Sequence, residues 1–238
     1  MILNNNPNVI EHKEMLQAKE LLKIPIMILY HGNKDADIIP SFGKGRKHND
    51  YGQGFYATPD PELGKEWAWG TYTKGDKGYL HGYEIDTSGL KILNLTEVDS
   101  LHWVAELYAN RTLNLDGREA LRDTKEAFVE KYKLDTSEYD IIIGYRADDS
   151  YFKYATDFLE SAIYKDTLDN ALRYGNLGLQ VFVKSEKAFG RLKKISFEEV
   201  PPIYAERYRK RDKNAELEYN RIKISQVSRK KETIHKFI

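Results

Sequence analysis

The sequence predicts an α+β fold: small, mostly antiparallel sheets, flanking helices and a C-terminal helical tail. Three observations predict it. Short apolar runs of strand length are interleaved with segments of helical spacing. No segment repeats with the period of a solenoid or propeller. The strands do not alternate strictly with long helices, which disfavours a doubly wound parallel sheet.

Residues 1–23 read as an N-terminal helical segment, 24–202 as the main domain and 203–238 as a basic C-terminal helix. Ile24-Pro25-Ile26-Met27-Ile28-Leu29-Tyr30 is a continuous apolar run of strand length, and His31-Gly32-Asn33 reads as the turn that ends it. Gly52-Gln53-Gly54-Phe55-Tyr56-Ala57-Thr58 reads as a second strand, entered through glycines. Pro59-Asp60-Pro61 ends it and starts a helix carrying Leu63, Trp67 and Ala68. Gly78 to Asp86 and Leu90 to Leu95 follow as strands, then helices over Ser100 to Asn110 and Arg118 to Tyr132. Tyr139 to Tyr145 is the strongest strand. Tyr151 to Ile163 and Thr167 to Tyr174 read as helices, Gly178 to Lys184 and Lys194 to Val200 as the last strands. Pro201-Pro202 stops the chain before the tail helix.

Composition bounds the function. Hydrophobic residues make up 41% and aromatics 12%, 17 of them Tyr, which suffices for a packed core. There is no cysteine, so a disulfide scaffold, a thiolate metal site and a cysteine nucleophile are all excluded. No apolar run approaches membrane-spanning length and the N-terminus lacks a leader pattern; a cytoplasmic protein is expected. Lys+Arg and Asp+Glu both number 37, but the balance hides an asymmetry. Residues 207–238 hold eleven basic side chains against four acids, and residues 1–206 hold 26 against 33. The tail reads either as a solvated helix lying along the domain or as a basic arm for nucleic acid or an acidic partner.

Common catalytic signatures are missing: no P-loop, nucleophile elbow, zincin helix or EF-hand loop occurs. The six histidines show no metal-ligand spacing, and Gly43-Lys44-Gly45 reads as a mobile basic loop. Two strand-end motifs remain. In Leu29-Tyr30-His31-Gly32 the imidazole can donate to a ligand hydroxyl, and Gly lets the backbone approach a planar amide. In Asp50-Tyr51-Gly52-Gln53-Gly54-Phe55-Tyr56-Ala57-Thr58, glycines beside paired aromatics suit a flat slot for an aromatic ligand. Each motif alone also has a structural reading, as a satisfied histidine and as a bulged core strand.

Together, with the Trp67-Ala68 helix behind them, these motifs resemble the ADP-ribosyltransferase superfamily, and more narrowly a bacterial family of unknown function placed in that clan. Tyr139 to Phe152, Leu177 to Ser185 and Lys210 to Ala215 look like that family too, so the resemblance spans roughly residues 26–220. It implies split antiparallel sheets and NAD+ as substrate. In the His–Tyr–Glu branch, the histidine holds a ribose of NAD+, the next glycine binds the carboxamide through its backbone, and the tyrosine stacks on nicotinamide. His31, Gly32 and Tyr56 match these roles, with Gly54 and Phe55 beside them. Where the branch has a catalytic Glu, the strand Gln180-Val181-Phe182-Val183 offers Gln180. An amide still accepts a hydrogen bond from a ribose hydroxyl, but it carries no charge and is no base at neutral pH. The carboxylate's acid–base share is about 10²–10⁴-fold. Asp148 and Asp149, after the strongest strand, are the candidate second acids; alternatively Asp149 or Ser150 caps a helix starting near Tyr151, with Arg146 paired to a nearby acid. Glu186 reads as a helix-start residue.

Three function classes stay open. The first is a mono-ADP-ribosyltransferase, a toxin or phage-defence effector by resemblance, with a macromolecular acceptor (protein or nucleic acid) and an antitoxin as the candidate partner. The second is an NAD+-binding module weakened at Gln180, in which Gln180→Glu would create hydrolysis. The third is an interaction protein acting through its basic tail.

Overall fold

The computed structural model describes residues 13–70, 77–147, 149–174, 178–225 and 231–238. Among them the chain runs α1 (Lys13–Leu22), β1 (Ile26–Asn33), β2 (Phe55–Ala57), α2 (Pro61–Trp67), β3 (Gly78–Asp86), β4 (Ile92–Asn94), α3 (Ser100–Asn110) and α4 (Glu119–Tyr132). It continues through β5 (Ile141–Tyr145), α5 (Asp149–Leu159), α6 (Lys165–Tyr174), β6 (Leu179–Val183), α7 (Glu186–Phe189), β7 (Leu192–Val200) and α8 (Ile203–Ser225). The fold is α+β with two sheets. One is antiparallel in the order β1-β3-β7; the other, β2-β6-β5-β4, is mixed, because β4 and β5 run parallel. Among the described residues no helix is long and apolar enough to cross a membrane.

Local chemistry starts the helices where the sequence puts them. Asp60 accepts from the N–H groups of Glu62 and Leu63 ahead of Pro61, Asp99 caps α3, and Ser185 caps α7 so that Glu186 opens it. Three expectations change. The helix expected over 203–238 does not run through: α8 spans Ile203–Ser225, and Ile234–Lys236 forms a separate 3-10 turn. β1 continues through His31-Gly32-Asn33 instead of turning there, because β3 offers His81, Leu80 and Tyr79 as ladder partners. α5 begins at Asp149, which is its first residue and not its cap. Asp148 lies outside the described residues.

Side-chain alternation sorts the core into layers. Met27, Leu29, Tyr83 and Ile85 of the first sheet meet Phe55, Ile141, Ile143, Val181 and Val183 of the second. The opposite face of the second sheet, with Phe182 and Ile142, packs on α3 to α6 through Trp103, Tyr108, Phe128 and Phe158, and Tyr145 at the strand's end joins that cluster. The outer face of the first sheet lies under α2 and the start of α8 through Leu80, Trp69 and Tyr204.

The tail helix docks along the domain. Tyr204 and Arg207 reach Glu62 at 2.8 and 2.9 Å, and Arg211 pairs with Glu66. Further on, Tyr219 donates to Asp157 at 2.6 Å beside Lys223 at 2.8 Å. Arg207, Arg211 and Lys223 thus face acids of the domain itself.

Candidate functional site

The two sheets touch edge to edge at one bridge. Tyr30 donates to the Thr58 carbonyl at 2.7 Å and accepts from its N–H at 2.9 Å. Beyond that bridge β1 and β2 separate into different sheets. Strand alternation sends the N–H and C=O of Gly32 toward the same edge as those of Tyr30, although Gly32 is not among the residues lining either cavity beside Tyr56. The glycine itself is demanded by packing: a Cβ there would lie 1.9 Å from the Gly64 carbonyl oxygen of α2.

His31 spans the gap. Its Nδ1 lies 2.7 Å from the Tyr56 carbonyl, which can only accept, so Nδ1 carries the proton. Nε2 is then the acceptor, with the Asn33 amide 3.3 Å away. The remaining ring nitrogen is thus an acceptor already engaged by Asn33, whereas the sequence suggests a donor; a ligand hydroxyl at Nε2 would take the place of that long bond. Burial lowers the imidazole pKa to about 4, against the Tyr56 hydrogen bond and with a small push from His81, so the ring is neutral at physiological pH.

Each residue of the Asp50–Tyr56 motif has a specific partner. Asp50 Oδ1 accepts from Arg111 Nη1 at 3.0 Å, and its Oδ2 accepts from Ala147 N–H at 3.0 Å and Gln180 Nε2 at 2.9 Å. Tyr51 donates to the Tyr145 carbonyl at 2.6 Å and receives Trp103 Nε1 at 3.1 Å. Gly52 sits at φ +94, a backbone conformation that favours glycine, and its carbonyl accepts from the Tyr56 hydroxyl at 2.7 Å. Gln53 donates to the carbonyls of Gly43 and Gly45, tying down the loop expected to be mobile. Gly54 makes room for Phe182, whose ring would lie 2.3 Å from a Cβ. Phe55 lies between His31 and Tyr83, with ring centroids 5.0 and 5.1 Å away. Tyr56 lies against Phe182, centroids 4.7 Å apart, on the face of β2 opposite to Phe55.

Two cavities flank Tyr56. The larger, about 390 Å³, is walled by His31, Phe55, Ser41, Lys44 and Arg46. Its loop is held by His81 Nε2–H on the Asp35 carbonyl and by the Tyr83 hydroxyl on the Ile38 carbonyl. The smaller, about 250 Å³, is lined by Asp50, Gln180, Arg111, Arg146 and Trp67. Tyr56 and Asn49 belong to both, so the cavities adjoin. Arg146 lies over the Trp67 ring at 5.2 Å and the Tyr208 ring at 5.9 Å, which puts the tail helix at the rim.

The structure thus brings His31 and Tyr56 together at the larger cavity, and Tyr56 and Gln180 together at the smaller. Gln180 shares its face of the second sheet with Tyr56 because Tyr56 pairs with Phe182, two residues along β6. Asp149 lies in α5, and the placement of its side chain is outside what is described. The acid that does line the site is Asp50, 4% exposed. It stands first in the glycine–aromatic motif, but what makes it part of the site is contact with residues far along the chain.

The family described as "Protein of unknown function (DUF3990)" matches residues 27–194, well over half of the chain. This chain is a DUF3990 protein. The DUF3990 match opens in β1 and closes in β7, so it takes in both sheets, both motifs and Gln180. α8, with the Lys210 to Ala215 stretch, falls beyond it. No curated protein and no solved structure matches the chain.

Proposed function

We propose that the paired cavities bind NAD+ and that the protein is an ADP-ribosyltransferase of the His–Tyr–Glu type. The observation that carries this reading is the arrangement at the split between the sheets. A neutral imidazole and a tyrosine ring line the larger cavity there from β1 and β2, and the Gly32 backbone faces the same strand edge as that of Tyr30. A ribose hydroxyl is a donor and suits His31 Nε2 in place of the long Asn33 contact; a carboxamide, with one donor and one acceptor face, suits the Gly32 N–H and C=O. Lys44 and Arg46 on the larger cavity supply the positive charge a diphosphate needs. Titrating NAD+ into the protein and into His31→Ala and Tyr56→Ala, with nicotinamide release followed in parallel, tests it. Saturable binding that either substitution weakens at least tenfold supports the reading; no binding by the wild type ends it.

One observation favours a second reading, an NAD+-binding module without turnover. Gln180 is neutral, and its amide nitrogen is committed to Asp50 and to the Tyr145 carbonyl at 3.2 Å. The amide oxygen is what remains for a ligand. Binding without nicotinamide release is the outcome this second reading expects.

A further inference from the structure

We propose that Asp50 supplies the carboxylate of this site and takes the acceptor's proton, with Gln180 holding it in position. The inference rests on the NAD+ reading above and adds a residue to it. Asp50 and Gln180 stand 130 positions apart and meet at 2.9 Å, both lining the smaller cavity. Neither cavity has another acid among its described lining residues.

Three donors approach Asp50: two on Oδ2 and one on Oδ1. A carboxylate offers about four lone-pair sites, so Oδ1 retains one for a ligand. The partner at position 180 is matched to it. An amide N–H facing Oδ2 satisfies a carboxylate, whereas a second carboxylate at that distance would repel it. The pair therefore carries one negative charge, placed on the loop before β2 instead of on β6. Burial raises the Asp50 carboxyl above its ordinary value, against the lowering effects of Gln180, Ala147 and Arg111, which is the direction a proton acceptor needs.

In the step itself, the bond between the ribose C1′ and the nicotinamide nitrogen breaks, and its electron pair neutralises the pyridinium. The Asp50 charge stabilises the oxocarbenium-like carbon left behind. With water as acceptor, its oxygen bonds to C1′ and its proton passes to Asp50 Oδ1, giving free ADP-ribose and nicotinamide.

The test measures NAD+ binding by calorimetry and nicotinamide release between pH 5 and 9, on the full chain. It uses wild type, Asp50→Asn and the double variant Asp50→Asn with Gln180→Glu. Expected is NAD+ binding by Asp50→Asn within about threefold of wild type, with release down about 10²-fold or more and the fall of the rate toward acid pH lost. The double variant, which moves the charge to β6 and keeps the amide–carboxylate bond, is expected to regain at least tenfold over Asp50→Asn. Release by Asp50→Asn at the wild-type rate overturns the assignment while leaving NAD+ binding intact. So does a wild type that binds NAD+ and releases no nicotinamide. Should Asp50→Asn lack a cooperative thermal transition, the double variant decides: folded and silent overturns the assignment, folded and active supports it. A wild type that does not bind NAD+ overturns both this inference and the reading beneath it.

Discussion

The imidazole of His31 donates from Nδ1 to the Tyr56 carbonyl at 2.7 Å, across the point where the two sheets part. This bond sets the tautomer, ties β1 to β2 beyond their last bridge and leaves Nε2 as the acceptor. It also gives the fold an acid sensitivity. The folded imidazole has its pKa near 4, lowered by burial from 6.5. Between those values the unfolded chain binds a proton that the folded one refuses, so stability is intact above about pH 6.5 and falls as pH drops toward 4. Because the ring is partly exposed, the loss should be about 1–3 kcal/mol. Urea unfolding of wild type and His31→Gln from pH 7.5 to 4 should show the shallower acid decline in the variant; parallel curves would contradict this.

Gln180→Glu, made alone, sets two carboxylates facing each other in a buried site. One must hold a proton, so the pair's folded pKa rises and stability is lost as pH rises. A loss of about 2 kcal/mol at pH 8, smaller at pH 5, is expected from denaturant melts. Adding Asp50→Asn should recover most of it, a coupling that independent sites would not show.

Gly32→Ala should fail for a reason unrelated to ligands. Its Cβ meets the Gly64 carbonyl oxygen at 1.9 Å, and backbone cannot swing aside as a side chain does. Either α2 lifts from the sheet or β1 shifts, at about 3 kcal/mol or more. An unchanged thermal midpoint in Gly32→Ala would refute this packing account.

Tyr219→Phe tests the docking of α8. The hydroxyl is buried and donates to Asp157, which also holds Lys223. Removing it leaves a largely buried carboxylate short of one donor, so a loss of about 1–3 kcal/mol is expected in thermal unfolding. A stability loss within 0.3 kcal/mol, where exposed contacts fall, would show that the helix is only loosely held.

The elements were legible wherever short-range chemistry sets them. β3 and α3 span the residues their sequence patterns mark, and the Asp60-Pro61 cap places α2. His31-Gly32-Asn33 is polar and turn-like, so the sequence pattern ends β1 too early; β3 pairs it regardless. For the site, the sequence singled out His31, Tyr56 and Gln180, which do line the cavities, but it passed over Asp50 in favour of Asp148 and Asp149. Proximity to the strongest strand suggests those two, whereas Asp50 enters the cavity through partners on β6 and on the segments just after α3 and after β5.

Taken by itself, the sequence determined which stretches become strand or helix, where the caps fall and that glycines and aromatics crowd one short motif. Those features depend on sterics and hydrogen bonds within a few residues of chain. Only the tertiary structure decided that the sheets part at Tyr30, that the tail's arginines meet the acids of α2, and that Asp50 faces Gln180. Such contacts depend on strand register and layer packing, which bring together side chains a hundred or more positions apart.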